Sequence, residues 1–398
     1  MKPPVLADAA LRNLEEDAQA LAGTIITNRR RIHEQPELGL MLPKTQALVV
    51  SELERIGVPI IRTGRTLSSV VADIEGTATG RATRVALRAD MDALPLSEHN
   101  DLPYASKVAG CMHACGHDAH VAMLLGAAEL LMKKRDAFAG TVRLMFQPGE
   151  EGFGGARLMI DEGVLEGIES AFALHIDSST PMHTLSLRKG PIMASADSFR
   201  VVFHGAGGHA SMPHLTSDPI PAIGPFVDGL SHVAARETDP DDRAVFSVTR
   251  VVAGTTLNVV PPTAECYGTI RTLSAKRRRI AHEQLRRVAE GVAASRGLRA
   301  EVQVDEGYPP TVNHDAPVEL IAQTARALGL RVHEMPSPMM GAEDFSYVLE
   351  NVPGAIAFLG VRCEGGGPLH SDLMKIDESM LAKGAALHVA AALRMMEG

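Results

Sequence analysis

Potential metal ligands lie in four short stretches that are far apart in the sequence, and the fold has to bring them together. The stretches are Met112-His-Ala-Cys-Gly-His-Asp-Ala-His120, Gln147-Pro-Gly-Glu-Glu151, Ala173-Leu-His175 and Leu369-His-Ser371. Three of the four lie just after an apolar run that is typical of a strand. Ligands of open α/β sheets bind beyond the carboxyl ends of the strands, so such a sheet would collect these side chains at one edge.

The residue types in these stretches predict a site for two metal ions. The predicted ligands are Cys115, His117, Glu151, His175 and His370. Thiolate, imidazole and carboxylate ligands together favour Zn²⁺ or Mn²⁺ over Mg²⁺ or Ca²⁺, and Co²⁺ and Ni²⁺ are further options. Glu150 stands beside a ligand but is not needed as one, which makes it the candidate general base. This combination predicts metal-assisted hydrolysis.

Four neighbouring residues leave alternatives open. Asp92 is best placed to orient a ligand, whereas Asp90 could be a ligand or only a helper. His113 or His120 could replace His117 as a ligand on spacing alone. Pro148-Gly149 predicts a turn that points Glu150 and Glu151 back over the edge of the sheet.

Helices and strands alternate in the first half of the chain, which predicts an α/β layer with a largely parallel sheet. Helices are predicted at residues 7–34, 44–56 and 119–134, and strands at 70–72, 85–89, 142–146 and 171–174. Gly57 is expected to end the second helix, and Asp118 to cap the start of the third.

The middle of the chain has a different order, β-α-β-β-α-β, which is that of a ferredoxin-like unit. Its predicted elements cover residues 199–204, 218–237, 244–253, 264–272, 274–296 and 298–305. Helices near 318–329 and 343–350, a strand at 355–359 and a helix from 378 then restore the α/β pattern. We therefore expect a catalytic metal-binding domain of residues 1–194 and 306–398, interrupted by an inserted domain of residues 195–305.

Length, charge and composition limit the other possibilities. A chain of 398 residues is too long for one ordinary core, and its formal net charge of −9 contains no long run of either sign. We expect no nucleic-acid partner and no membrane partner. The first 23 residues are typical of an amphipathic helix and not of a signal peptide, and four cysteines suggest a cytoplasmic location.

At these residues the chain resembles the aminoacylase/carboxypeptidase family of binuclear metallopeptidases, and most of all its amidohydrolase branch. That branch contains hippurate hydrolases, N-acyl-amino-acid amidohydrolases and indole-acetyl-amino-acid hydrolases. Besides the four ligand stretches, the resemblance rests on His33-Glu-Gln-Pro-Glu-Leu-Gly39, Arg88-Ala-Asp-Met-Asp-Ala-Leu-Pro95, Gly207-Gly-His-Ala-Ser-Met-Pro-His214, Asn258-Val-Val-Pro261, Gly268-Thr-Ile-Arg271 and Met340-Gly-Ala-Glu-Asp-Phe345.

The resemblance implies roles at the matching positions. It implies the same five metal ligands as above and Glu150 as the catalytic base. His209 resembles a histidine of the inserted lid domain that stabilises the oxyanion, in many relatives at the partner subunit's site. Asn258 and Arg271 resemble residues that hold the substrate's backbone and carboxylate. The inserted domain is thus expected to serve as a lid and to form a homodimer or a higher homo-oligomer.

Two departures from the family pattern refine this expectation. The peptidase branches carry a histidine where this chain has Asp90, which argues against a dipeptidase or carboxypeptidase. After the first motif, relatives often carry acidic residues where this chain has Leu40-Met-Leu-Pro43, which is expected to alter a surface or a pocket rim.

The sequence therefore predicts a metal-dependent amidohydrolase that cleaves the amide of an N-acyl-L-amino acid to a carboxylic acid and an amino acid. The alternatives are a dipeptidase of the same family and an inactive metal-binding protein. With no Trp, 4 Tyr, 10 Phe and 18 Met, the substrate pocket is expected to be aliphatic and lined by methionine, which fits an acyl chain.

Overall fold

A computed structural model describes residues 8–397 of the chain. Residues 1–7, which include the start of the predicted first helix, lie outside the described residues. The chain folds into two compact units. Unit 1 contains the described part of Met1–Gly190, Val312–Ser337 and the described part of Tyr347–Gly398, and unit 2 contains Pro191–Thr311 and Pro338–Ser346.

The helices and strands follow one another in an α/β order. The helices are α1 (Asp8–Ala20), α2 (Ala22–His33), α3 (Pro43–Ile56), α4 (His117–Lys133), α5 (Gly155–Asp161), α6 (Ile223–Arg236), α7 (Ala275–Ala294), α8 (Asp315–Ala327), α9 (Phe345–Asn351) and α10 (Leu381–Glu397). The strands are β1 (Ile60–Thr63), β2 (Val70–Glu75), β3 (Arg84–Asp90), β4 (Thr141–Gln147), β5 (Ser170–Asp177), β6 (Thr184–Leu187), β7 (Gly190–Met193), β8 (Asp197–His204), β9 (Gly208–His209), β10 (Ala244–Ala253), β11 (Val259–Val260), β12 (Thr263–Thr272), β13 (Arg299–Asp305), β14 (Thr311–Asn313), β15 (Arg331–Glu334) and β16 (Gly354–Gly360).

Unit 1 is built on an eight-stranded sheet with the order β1-β2-β4-β3-β5-β16-β6-β15. Four of its seven strand pairings are parallel, and these include the three central pairings β4-β3, β3-β5 and β5-β16. The predicted α/β class with a mostly parallel sheet is thus confirmed. Parallel neighbours end at the same edge, so β3, β4, β5 and β16 present their carboxyl ends together.

The core of unit 1 forms where α4 and α10 pack against this sheet. Both helices are apolar almost all round, which is the pattern of a helix buried on every side. Glycine permits their close approach, because a Cβ on Gly384 of α10 would lie 2.1 Å from the sulfur of Met123 on α4. A Cβ on Gly126 would likewise lie 2.7 Å from Ile25 Cδ1 on α2.

Several predicted details of unit 1 are wrong. The long first helix is divided at Leu21 into α1 and α2. β5 extends to Asp177, so His175 lies within a strand and does not follow one. Asp118 does not cap α4, because the capping position is Gly116, whose positive φ of 92° breaks the helix there. The short strands β1, β6 and β15 were not predicted, since their apolar runs are too short to stand out.

Unit 2 contains the predicted β-α-β-β-α-β order as β8-α6-β10-β12-α7-β13. Its four-stranded sheet has the order β10-β12-β8-β13 with antiparallel pairing throughout, which is the arrangement of a ferredoxin-like fold. The helices α6 and α7 pack on one face around Phe199, Phe203 and Phe226. No helix in the described part of the chain combines the length and the apolar character needed to cross a membrane.

A buried ion pair holds the start of β8 against α7. The fully buried carboxylate of Asp197 accepts hydrogen bonds from Arg278 at 2.5 Å, from His282 at 2.8 Å and from the Gly307 backbone at 3.1 Å. Burial alone would raise the pKa of Asp197, but the bonds from His282 and Arg278 hold it below its usual range. The carboxylate therefore contributes stability above its unfolded-state pKa, and this contribution is lost as the pH falls through the lower folded-state pKa.

We expect Asp197→Ala to destabilise unit 2 by about 1–3 kcal/mol, because it leaves the buried ring of His282 and the partly buried guanidinium of Arg278 without their shared carboxylate. The measurement is hydrogen exchange of the β8 amides followed by mass spectrometry. Glu237→Ala is the control, since its partner Arg287 is 60% exposed and such surface pairs contribute about 0–1 kcal/mol. Equal effects of the two substitutions would contradict the stabilising role of the Asp197 carboxylate.

Candidate metal centre

The candidate site lies at the carboxyl edge of the central strands of unit 1. Asp90 ends β3 and Asp92 follows it, while Gln147 ends β4 and leads through Pro148-Gly149 to Glu150 and Glu151. β3 pairs in parallel with both β4 and β5, so these strand ends are adjacent. Gly149 has a φ of 72°, a conformation that favours glycine and that turns the chain sharply after β4.

All five predicted ligands come together at this edge. The ligand atoms of Cys115, His117 and His175 lie within 4.8 Å of one another, and so do those of Cys115, Glu151 and His370. The Cys115 Sγ atom is common to both groups, at 3.4 Å from His175 Nε2 and 3.3 Å from His370 Nε2. Glu150 joins the cluster through a third group with His117 and Glu151.

The hydrogen bonds of this cluster fit metal binding. His117 donates from Nδ1 to the backbone oxygen of Asp92 at 2.8 Å, so Nε2 is the ring nitrogen that would bind a metal. That buried Nε2 atom has no hydrogen-bond partner in the described part of the chain, and neither has the buried Oε1 atom of Glu151. His175 donates from Nδ1 to the Ile176 oxygen at 2.6 Å, so Nε2 is the ring nitrogen that faces the cluster, 3.4 Å from Cys115 Sγ. Buried atoms of this kind normally have partners, and bound cations would supply them.

The charges of the cluster also suit a cation. Burial alone would raise the pKa of the Cys115 thiol, but the neighbouring His117 and His175 lower it to about 6. Burial raises the pKa of the nearby Cys111 to about 11. The thiolate is the metal-binding form of cysteine, so Cys115 and not Cys111 is prepared to bind at neutral pH.

Asp92 fixes the turn that carries the two glutamates. One of its carboxylate oxygens accepts the backbone N–H of Glu150 at 2.9 Å, and the other accepts that of Glu151 at 3.0 Å. Its own backbone oxygen accepts the hydrogen bond from His117. A single residue therefore orients a histidine of the cluster and both adjacent glutamates.

Asp90 and His120 form a buried pair that adjoins the cluster, since Asp90 Oδ2 lies 3.6 Å from His117 Nε2. The Asp90 carboxylate accepts from Arg88 at 2.5 Å and from His120 Nδ1 at 2.5 Å. His120 Nε2 accepts the backbone N–H of Ile176 at 2.9 Å, so neither ring nitrogen remains for a metal. The geometry therefore favours Asp90 as a helper and His117, not His120, as the ligand.

His113, the other alternative to His117, lies outside every group of neighbouring ligand atoms found in the described residues. Its ring is buried beside the ring of His33, at a centroid distance of 6.3 Å. Burial lowers the pKa of His113 to about 4, so the ring is neutral at physiological pH.

A buried network next to the cluster was not predicted. Asp118 Oδ2 accepts hydrogen bonds from Arg29 Nε and from His33 Nδ1, both at 2.8 Å. Burial alone would lower the pKa of His33, but Asp118 and Glu98 raise it. The network ties α2 to the first turn of α4, where His117 lies. In the sequence, only the His33-Glu-Gln-Pro motif hints at this network. The sequence does not show that Arg29 and the distant Asp118 will pair.

The three remaining candidates lie in unit 2. His209 on β9 is exposed, and its Nδ1 atom accepts the backbone N–H of Ser211 at 3.1 Å, so Nε2 carries the proton as a donor. β9 pairs with β11, and the Ala210 N–H donates to the Asn258 oxygen at 3.0 Å, which places Asn258 beside His209. Arg271 lies apart from them on β12, opposite Val245 of β10.

We expect Asp92→Asn to weaken metal binding by about 10–100-fold, because an asparagine presents one acceptor oxygen to two backbone N–H donors. A competition titration with a chromogenic chelator measures the affinity, and circular dichroism checks the fold. Asp377→Asn is the control, since Asp377 also accepts a backbone N–H, that of Ser379 at 2.9 Å, at the beginning of a helix. Unchanged affinity in Asp92→Asn would show that the turn holds its position without this carboxylate.

Comparison with known proteins places this site in a family. Residues 86–394 match peptidase family M20/M25/M40. The chain is 41% identical over 390 residues to thermostable carboxypeptidase 1 of Saccharolobus solfataricus, with 96% of this chain and 98% of the relative covered. It is 40% identical over 358 residues to N-acetylcysteine deacetylase of Bacillus subtilis, with 90% and 93% covered.

A solved structure agrees with this result. The YXEP protein of Bacillus subtilis, described as a dinuclear metal binding peptidase from the M20 family, superposes with a TM-score of 0.85 at 36% identity and covers 95% of this chain and 99% of its own. The sequence match, the fold and the cluster of ligand side chains lead to one conclusion: the chain belongs to peptidase family M20/M25/M40 and is a hydrolase of that metallopeptidase family.

Proposed function

We propose that the protein is a metal-dependent amidohydrolase that cleaves N-acyl-L-amino acids to a carboxylic acid and an amino acid. The observation that carries the proposal is the buried cluster of Cys115, His117 and His175 with Glu150 and Glu151 beside it. The relative of Bacillus subtilis named N-acetylcysteine deacetylase supports an N-acyl amino acid as the substrate.

The cluster would hold two divalent ions, for which Zn²⁺ and Mn²⁺ are the first choices and Co²⁺ and Ni²⁺ the next. The ligands would be Cys115, His117, Glu151, His175 and His370. When bound, the ions would supply Lewis acidity, which makes water more acidic and polarises a carbonyl group. The presence of a thiolate among the ligands favours these ions over Mg²⁺ and Ca²⁺.

Glu150 is the proposed base. Its side chain is nearly buried, and its carboxylate lies in the group formed with His117 and Glu151. It would take a proton from the attacking water and deliver it to the leaving amine nitrogen, so one carboxylate serves as base and then as acid. Asp92 would keep this carboxylate in place by holding the backbone of the turn.

The residues of unit 2 would serve the substrate. Arg271 would bind the α-carboxylate through paired charge-assisted hydrogen bonds, and Asn258 would bind the amide backbone. His209 would donate a hydrogen bond from Nε2–H to the oxyanion of the tetrahedral intermediate, a contribution that the tautomer set by Ser211 supports. We propose that His209 acts in a homodimer.

The four free cysteines support a reducing, cytoplasmic setting.

A carboxypeptidase is the second candidate, because the relative of Saccharolobus solfataricus carries that name at 41% identity. Asp90, which stands where the peptidase branches have a histidine, favours the first candidate. The two reactions differ in the group on the acyl side of the scissile bond, which is a simple carboxylic acid in one case and a peptide in the other.

A hydrolysis screen separates the two functions. The protein is reconstituted with Mn²⁺, Zn²⁺, Co²⁺ or Ni²⁺ and offered N-acetyl, N-benzoyl and N-octanoyl derivatives of one amino acid, a free dipeptide and an N-blocked dipeptide. We expect release of the amino acid from the N-acyl substrates first. Preference for the blocked dipeptide would establish the carboxypeptidase instead.

The same screen tests the base. We expect Glu150→Gln to retain both metals and lose about 10²–10⁴ in kcat, because glutamine keeps the shape of the side chain but cannot accept the proton. Metal analysis of the variant is the necessary control. Near-normal turnover in Glu150→Gln would exclude the proposed mechanism.

The proposed dimer is tested by mixing. The Glu150→Gln and His209→Ala proteins are each expected to be nearly inactive on their own. In His209→Ala, kcat is expected to fall by about 10²–10³ while the metals are retained. Co-assembled heterodimers of the two would contain one intact pair of residues if His209 serves the partner subunit. Recovered activity supports that arrangement, whereas none, in heterodimers verified by mass spectrometry, would assign His209 to its own chain.

A further inference from the structure

An exposed apolar surface lies beside the turn that carries Glu150. It consists of Leu38, Met41 and Phe153, which are 44%, 64% and 55% exposed, and we name these three residues the apolar ledge. Side chains of this size are usually covered when they occur in a group, so such a group at a functional site indicates a binding surface. The proposed mechanism gives these residues no role.

Backbone contacts attach one side of the ledge to the loop of Asp92. The Ala93 N–H, directly after Asp92, donates to the Glu37 oxygen at 2.8 Å. Leu38 and Ala93 form an isolated parallel bridge. The segment that carries Leu38 and Met41 therefore runs alongside the residue that positions the two glutamates.

Side-chain packing attaches the other side of the ledge to the turn after β4. A Cβ on Gly149 would lie 2.5 Å from Leu40 Cδ2 and 3.0 Å from Phe153 Cβ. A Cβ on Gly39 would lie 3.2 Å from the edge of the Phe153 ring. Gly149 directly precedes Glu150, so Phe153 and Leu40, the neighbour of Met41, pack against the turn that carries the proposed base.

The ledge carries no charge of its own. The nearest acidic side chain in its segment, Glu37, is turned away to the start of α3. There it accepts hydrogen bonds from the backbone N–H groups of Lys44 at 3.1 Å and Thr45 at 2.9 Å, and from the Thr45 hydroxyl at 3.0 Å. Residues 38–42 are uncharged. A surface of this composition binds hydrocarbon and offers nothing to a charged or strongly polar group.

We propose that the apolar ledge binds the hydrocarbon chain of the substrate's acyl group and makes the enzyme selective for medium-length aliphatic acyl chains over acetyl. This inference rests on the proposed amidohydrolase function and names the substrate class within it. Complete burial of one methylene changes binding by roughly fourfold, so contact on one side gives about twofold per methylene.

The test compares acyl chains of increasing length on a single amino acid, from acetyl through butanoyl and hexanoyl to octanoyl. We expect kcat/KM of the unaltered protein to rise by about twofold for each methylene that reaches the ledge. Phe153→Ser and Met41→Ser are expected to flatten this rise and to leave the acetyl substrate within about threefold, because a short acyl group does not reach the ledge. Met182→Ser is the matched control, since Met182 is also exposed, at 37%, but lies next to Ser379.

Binding of the product acids gives a second readout that needs no turnover. Calorimetric affinities of butanoate, hexanoate and octanoate are expected to show the same rise with chain length and the same loss in the two ledge variants. The ledge proposal would be overturned if affinity did not change with chain length in the unaltered protein. It would also be overturned if affinity rose undiminished with chain length in both variants. If the unaltered protein hydrolyses no N-acyl substrate but its affinity for the product acids still rises with chain length, the proposed function is rejected. The ledge then remains as a fatty-acyl binding surface.

Discussion

The parallel pairing of β3 with β4 and β5 is the constraint on which the rest of the site depends. It brings three carboxyl ends to one edge, so Asp90, Asp92, Glu150, Glu151 and His175 become neighbours although they are distant in the sequence. A shift of one residue in the register would turn the alternate side chains to the wrong face of the sheet. The buried helix α4 then adds His117 at its first turn, directly above this edge.

The cluster concentrates polar groups that would be unstable in a core without cations. Three imidazoles, a thiolate and two carboxylates lie close together, and two of their buried atoms have no hydrogen-bond partner in the described residues. A buried polar atom without a hydrogen bond costs roughly 1–3 kcal/mol, which a bound cation would offset. The surrounding pairs, Asp118 with Arg29 and Asp90 with Arg88, fix the backbone so that the cluster does not relax.

The apolar ledge lies beside the loop of Asp92, the residue that orients the two glutamates. Asp92 orients the glutamates through two backbone hydrogen bonds, and the next residue, Ala93, holds the segment of the ledge. A substitution in Leu38 or Met41 can therefore change the surface offered to an acyl chain without touching a proposed ligand.

The sequence by itself determined the α/β class, the β-α-β-β-α-β order of the middle segment and the family, because periodic apolar runs and ligand motifs are local patterns. It also pointed to Cys115, His117 and Glu151, whose neighbours in the sequence mark them. Only the tertiary structure shows that both ring nitrogens of His120 have partners, since the bond from Ile176 to His120 joins residues far apart in the chain. The same holds for Asp118, which was expected to cap α4 and instead pairs with Arg29 and His33, because such pairing depends on how α2 packs against α4.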